Sequence, residues 1–275
     1  MKRYRILTFD FDTRVHSLTL EIRDEWEPEV KKLHRQNKDR VEKSLIRFYG
    51  AEAQDAKRQN FIELGDKPLS ILAFHNSFFE QIRTAFVMGS YYPALTAACA
   101  LGERILNHLL LILRDDYRHT PEYKLVSRKD SFDNWDVPIN TLEAWNVLLP
   151  DVAKEFRRLK DMRHKAIHFR PEVDRNDRAL ALKAIRCLRE IIRNQFSAFG
   201  SQPWFITSIP GEIYIKKSWE TNPFIQKVYL RNCLAVGPKH QIEALVPQIV
   251  VNDSFQYEEC EVTDEEFSQL RNKQK

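Results

Sequence analysis

The chain has 275 residues, 43% apolar and 30% charged, with a formal net charge of +4. That balance is the one expected of a globular protein with a sizeable core, and it excludes a global polycation, so any nucleic-acid function needs a local basic patch. Seven glycines set against many Leu, Ala, Lys, Arg and Glu favour helix.

Cys99, Cys187, Cys233 and Cys260 lie far apart with no C-x-x-C pair, which argues against a zinc module and for free thiols. The opening Met1-Lys2-Arg3-Tyr4-Arg5 has no uninterrupted apolar run, and the richest apolar helix is broken by Glu103, Arg104, Asn107 and His108. Neither a secretory leader nor a membrane span is expected, so the expected address is the cytoplasm.

Residues 4–22 alternate with a period of two, and Leu7, Phe9 and Phe11 followed by Val15, Leu18, Leu20 and Ile22 predict an N-terminal β-hairpin. Leu7-Thr8-Phe9-Asp10-Phe11-Asp12 resembles the hydrophobic-D-x-D opening of haloacid dehalogenase-like phosphatases. Arg14 stands where that family has Thr or Val, and no βαβ alternation follows, so the two aspartates read as the wet face of a strand. Residues 25–58 are highly charged around sparse anchors (Trp26, Val30, Leu33, Val41, Leu45, Phe48). They predict one or two surface helices stopped by Gly50.

From residue 69 the helical period sharpens. Ile71, Phe74, Phe78, Ile82, Ala85 and Gly89 trace one stripe, and Leu95, Ala98, Cys99, Gly102, Ile105, Leu106, Leu109 and Leu113 a second. Residues 115–140 read as a loop carrying Phe132 and Trp135, which either pack back or meet a partner, before a short helix around Leu142 and Trp145. A third long helix, from Asp151 to Phe169, turns Val152, Phe156, Leu159 and Ala166 inwards. Asn176-Asp177 caps a fourth, with Ala181, Ile185, Leu188, Ile192 and Phe196 inside. Short links, with one insertion, predict an antiparallel four-helix bundle over 69–198. It is flanked by a 1–64 segment of hairpin and charged helix and by a β-rich 199–275 segment, giving an α+β, mainly α fold. Strands are expected at Trp204–Thr207, Glu212–Ile215, Val228–Leu230 and Ile249–Val251, and the polar tail from Glu258 is expected to fray.

The third helix ends in Arg163-His164-Lys165-Ala166-Ile167-His168. Arg163 falls seven residues after Phe156 and four after Leu159, close to the buried face, where a guanidinium needs a partner or a task. From Asp151 to Arg170 there are seven Lys or Arg and three acids, so this helix alone carries +4. Arg114 and His119 share the Arg-to-His spacing but lie at a helix exit leading into Thr120-Pro121.

A helical bundle with an Arg-x-x-x-x-His string near the end of its third helix resembles the HEPN superfamily, the helical domains of many toxin and defence ribonucleases. The resemblance covers roughly residues 69–198. It implies a homodimer in which Arg163 and His168 of both subunits line a shared cleft and cut RNA without a metal or other cofactor. Histidine titrates near neutrality and can take the proton of a ribose 2′-OH. The forked, permanently charged guanidinium can hold the scissile phosphate, and RNA is required because the nucleophile is the 2′-OH. His164 and Glu103 would support the pair, and Lys165, Arg157, Arg158, Lys160 and Arg170 would bind the RNA backbone. An antitoxin or defence partner protein is a further expectation.

Other readings of the same residues stand beside this one. Glu103 can pair with Arg163, orient His168, or simply contact Asn107. His164 and His168 have metal-ligand spacing, but Lys165 replaces the Glu of H-E-x-x-H and no third ligand is evident. Arg163 can be a structural clamp with His168 a helix C-terminal cap. The same fold can serve as an RNA-binding or protein-docking module without turnover.

Overall fold

In the computed structural model, residues 1–7, 10–71, 75–167, 176–245, 248–258 and 260–274 are described. The protein is α+β and mainly helical. It divides into two compact units, one formed by residues 10–196 and the other by residues 1–9 together with 197–275. The division differs from the three sequential segments expected, because the first strand joins the C-terminal unit and the charged helices join the central one.

The larger unit begins with α1 (Arg14–Thr19), α2 (Pro28–Tyr49) and α3 (Gln54–Leu64). The expected hairpin is therefore corrected: residues 14–19 are helical. Val15 and Leu18 are three apart, a spacing that puts both on one face of a helix but on opposite faces of a strand, and both are buried. The Asp12 carboxylate secures the first turn by accepting from the Arg14 backbone N–H at 3.0 Å and from its guanidinium.

The core is assembled from α4 (His75–Val87), α5 (Tyr91–Leu113), α8 (Pro150–Ile167) and α9 (Asp177–Phe196). Helix α5 packs against the other three, and α8 packs against α9. The buried stripe of α5 is the one read from sequence, whereas on α4 Phe79 and Phe86 are buried and Phe78 and Ala85 only half-buried. Phe74 lies outside the described residues. Helix α4 ends at Gly89, whose φ of +84° suits glycine, with Ser90 N–H on Ala85 O at 2.8 Å and Gly89 N–H on Phe86 O at 3.0 Å. That pair satisfies two terminal carbonyls.

The end of α3 is held by arginines. Arg186 donates to Glu63 O, Arg189 to Leu64 O at 2.8 Å, and Arg83 to Gly65 O at 2.8 Å and Asp66 O at 3.4 Å. Four successive carbonyls at the negative end of a helix thus receive guanidinium donors from α4 and α9. Arg83 is 2% exposed, and burial pushes its guanidinium below its ordinary value.

Residues 115–140, expected as loop, contain the short helix α6 (Tyr123–Val126) and the first residues of α7 (Asp136–Ala144), which holds Leu142 of the short helix expected next. Phe132, Trp135 and Trp145 fold back into the core. Trp145 stacks on Tyr117 with ring centres 4.4 Å apart and donates Nε1–H to Thr120 Oγ1 at 2.8 Å, so the aromatic body is buried and its polar tip satisfied.

The smaller unit is a four-stranded sheet in the order β2 (Phe205–Ile206), β3 (Tyr214–Ile215), β1 (Arg3–Ile6), β4 (Cys233–Val236), with a separate pair β5 (Gln241–Ala244) and β6 (Val250–Asn252). β1 pairs antiparallel with both neighbours, Arg5 opposite Tyr214 and Leu234. Val228–Leu230, expected as strand, belongs instead to a π-helical turn over Ile225–Tyr229 and the 3-10 turn that follows, because Ile225 and Tyr229, four apart, are both buried. The tail is likewise corrected: α10 (Asp264–Asn272) starts in a Thr263/Glu266 capping box and buries Phe267 against Tyr214. Beside them the buried Glu212 carboxylate binds Arg271 at 2.7 and 2.8 Å, Arg5 at 3.3 Å and the Tyr214 hydroxyl.

Candidate functional site

Residue size sets the site before charge does. Gly102 on α5 leaves room for a bulky neighbour: a Cβ there would lie 2.9 Å from Trp135 Cη2 and 2.6 Å from Leu159 Cδ2. Trp135, at the start of α7 and 1% exposed, fills that space. Its Nε1–H donates to Glu103 Oε2 at 3.1 Å. The same oxygen meets Arg163 Nη2 at 2.9 Å, and the Arg163 guanidinium carbon stands 5.8 Å from the centre of the Trp135 ring. Three elements far apart in sequence thus converge on one carboxylate. A forked cation held by a carboxylate and an aromatic face loses little further freedom on meeting an anion.

Asn107, one turn beyond Glu103, keeps the carboxylate's helix and the insertion together. Its Nδ2 donates to Glu103 O at 3.0 Å and to Phe132 O at 3.4 Å, and Phe132 N–H donates to its Oδ1 at 2.7 Å. Of the readings open for Glu103, the carboxylate goes to Arg163, and Asn107 takes only the backbone carbonyl.

Arg163 borders two open grooves. One, of about 440 Å³, is lined by Thr96, Cys99, Ala100, Asp130 and Ser131, with Glu103, Arg104 and Asn107. The other, of about 370 Å³, is lined by Asp133, Asn134, Trp135, Lys160, Asp161, His164 and Lys165. Both Arg163 and Glu103 are about a quarter exposed, at 28% and 27%. Burial pushes the Cys99 thiol up to about 12, so it is no nucleophile at neutral pH.

The basic residues of α8 do not gather into one patch. Arg157 binds Glu143 and Asn140, the latter at 2.9 Å, and Lys160 binds Asp136 at 2.7 Å, so acids of α7 neutralise both. Arg158 pairs with Glu155 on its own helix, whereas His164 and Lys165 are exposed at the second groove. His168 and Arg170 lie outside the described residues. Arg114, of the other Arg-to-His pair, donates to Val126 O at 3.3 Å and to Lys129 O, anchoring the insertion.

Of the two readings for Phe132 and Trp135, packing back or meeting a partner, the first holds, both being buried, while Asp136 and Glu143 were missed as partners of the basic helix. The usable signal was a tryptophan in a polar segment, a residue seldom left in water. Among the described residues no group of three or more His, Cys, Asp or Glu is placed to hold a metal ion. One helical stretch among them, Tyr91–Tyr117, is long and apolar enough to cross a membrane, and half of its apolar window is buried inside the protein. Comparison with family models, with curated proteins and with solved structures finds no match for this chain.

Proposed function

We propose that α4, α5, α8 and α9 form a HEPN-like antiparallel four-helix bundle, and that the protein is a cytoplasmic, metal-independent endoribonuclease acting as a homodimer. Arg163 binds the scissile phosphate and the charge that builds on it, and His168 takes the proton of the ribose 2′-OH. The 2′-oxygen bonds to phosphorus, the bond to the 5′-oxygen breaks, and that oxygen leaves as a hydroxyl on taking up a proton. The products are a 2′,3′-cyclic phosphate and a 5′-OH end. A toxin or phage-defence setting, with an antitoxin or defence partner, belongs to the same proposal.

The observation that carries this reading is the triple contact of Arg163, Glu103 and Trp135 at the junction of two open grooves, five residues before His168. A guanidinium held on two sides and open on others suits phosphate recognition.

The second reading is a binding module with the same fold and no turnover. It is favoured by the same ion pair, since a clamp also needs Arg163 tied to Glu103. The two separate in one experiment: incubation of a mixed tRNA and single-stranded RNA pool in EDTA with wild type, Arg163→Ala and His168→Ala. The nuclease reading expects chelator-resistant cleavage with cyclic phosphate ends, lost in both variants. Binding without cleavage gives the module reading, and cleavage abolished by EDTA returns His164 and His168 to the role of ligands.

A further inference from the structure

On the helical wheel Arg158 lies about 140° from Arg163, at 100° per residue, so it faces the opposite flank of α8. There α8 and α9 border a third open groove of about 350 Å³, lined among others by Arg158, Arg178, Lys183, Arg186, Glu155 and Glu190. We infer that this groove is a second nucleic-acid contact, gripping the phosphodiester backbone of a single strand away from the cleavage site. The inference rests on the RNA reading of Arg163 for its ligand class.

Four observations support it. Both acids in the lining are already engaged, Glu155 by Arg158 and Glu190 by Arg189 at 3.0 Å and Arg193 at 2.9 Å. Lys183, Arg186 and Arg158 are exposed. Arg186 hydrogen-bonds a neutral carbonyl, Glu63 O, which leaves its charge uncancelled. Arg178, Lys183 and Arg186 are spaced over about 12 Å of α9, at 1.5 Å rise per residue, a line that fits successive phosphates better than one compact anion. By contrast, Lys160 and Arg157 beside the Arg163 grooves are cancelled by Asp136 and Glu143. Arg158 and Arg178 are paired as well, with Glu155 and, at 3.1 Å, Glu63, but Arg158, Arg178, Lys183, Arg186 and Arg189 outnumber Glu155 and Glu190 in this lining, so net positive charge remains on the α9 side. A strand held there and cut at Arg163 would pass around α8.

The groove contacts only phosphates, whereas cleavage needs a 2′-OH, so the two readings can be tested apart. The probe is a labelled oligo(dT), bound at several salt concentrations to wild type, to Arg158→Gln/Lys183→Gln, and to Arg158→Lys/Lys183→Arg. Each phosphate contact contributes about 0.7 to the slope of log affinity against log salt for a single strand. Neutralising both positions should weaken binding roughly tenfold near 0.1 M salt and lower the slope by about 1.4, while the charge-conserving variant retains both. Wild-type affinity and slope in the neutralised variant, or no dT binding by wild type, would overturn the groove. RNA cleavage by wild type is scored separately: cleavage with an indifferent groove leaves the nuclease standing, and a salt-dependent groove without cleavage leaves the groove standing.

Discussion

Trp135 and Arg163 share one acceptor: the indole N–H and the guanidinium both meet Glu103 Oε2, at 3.1 and 2.9 Å, with the guanidinium over the indole ring. The aromatic side chain is therefore a positioning residue for the arginine, acting both through its face and through the carboxylate. Trp135→Phe keeps most of the ring and removes the N–H. Stability should fall by about 2–3 kcal/mol, about 1 for the hydrogen bond and the rest for the space left by the missing ring atoms of a side chain 1% exposed. RNA cleavage should fall further than that loss accounts for, because the arginine's angle is relaxed. Cleavage kinetics beside a urea titration check this; a parallel fall in stability with unchanged turnover per folded molecule would make Trp135 a core residue only.

Glu103→Gln separates charge from shape. A glutamine can still accept from the Trp135 indole but cannot form the ion pair. The pair is about three-quarters buried, so the loss should somewhat exceed the 0.2–1 kcal/mol of an exposed pair, at about 1–2 kcal/mol, and leave the fold intact. Affinity for an uncleavable RNA should hold or rise as Arg163 gains net charge, while turnover falls as the guanidinium loses its anchor. Turnover and affinity falling together would show that the carboxylate does more than hold Arg163.

Gly102→Ala tests the space beneath the site. Alanine is the better helix former by about 1 kcal/mol, yet its methyl would meet Trp135 and the fully buried Leu159 at under 3 Å. Overpacking costs about 1–3 kcal/mol, so a net loss of up to about 2 kcal/mol is expected, with reduced cleavage because Trp135 must shift. A chemical denaturation midpoint at or above wild type would show that the indole gives way freely.

Much of the larger unit was legible because its helices are long and each has a continuous apolar stripe. Ile105, Leu106 and Leu109 of α5, and Ile185, Leu188 and Ile192 of α9, read inward in the sequence and are inward in the fold. Arg163 and Glu103 were legible from their places at the edges of such stripes. Local reasoning failed where the strand period was carried past its end, as at Val15 and Leu18, whose spacing is helical, or where neighbours were alike, as with Phe78 and Phe79. It also failed where the deciding partner lay far away. β1 pairs with residues 214 and 233–236, α10 owes its place to buried Phe267 and to Arg271 on Glu212, and the charge count on α8 could not register Asp136 and Glu143.

The smaller unit should be acid-sensitive in two steps. Burial pushes the His240 imidazole below its ordinary 6.5, and the charges of Arg271 and Arg5 add to this, while the bond to Gly237 O and the Glu212 charge oppose it. Its Nδ1–H donates to Gly237 O at 2.7 Å and its Nε2 accepts from Arg5, an arrangement that requires the neutral ring. For a histidine depressed in the fold, stability is full above about pH 6.5 and is lost as pH falls below it, because the unfolded chain then binds the extra proton. Glu212 acts lower down. Burial alone would raise its carboxyl, but hydrogen bonds from Arg271 and Tyr214 with the charge of Arg5 outweigh it and hold it at about 2, against 4.5 unperturbed. Its contribution is present above pH 4.5 and disappears between there and about 2. Melting curves from pH 8 to 3 should show both steps, and His240→Gln should flatten the first alone; an unchanged slope between pH 7 and 5 would remove His240 from the account.

The arginine cap on α3 offers the sharpest test of packing. Gly65 has a φ of +73°, and a Cβ on it would sit 2.0 Å from Arg189 Nη1, the group that donates to Leu64 O. Gly65→Ala therefore brings two penalties, about 1–3 kcal/mol for an alanine at a backbone angle pair (ψ −167°) that only glycine adopts readily, and a further 1–3 kcal/mol for displacing a donor from a buried carbonyl. The second penalty exists only while Arg189 is present. In an Arg189→Met background the carbonyl has already lost its donor, and a flexible thioether can yield to the new methyl. A double-mutant cycle by urea denaturation should then give a coupling of about 1–2 kcal/mol, with Gly65→Ala milder in the Met background. Additive losses would mean that the backbone angle alone demands glycine here, and that Arg189 holds the carbonyl without sensing what stands at position 65.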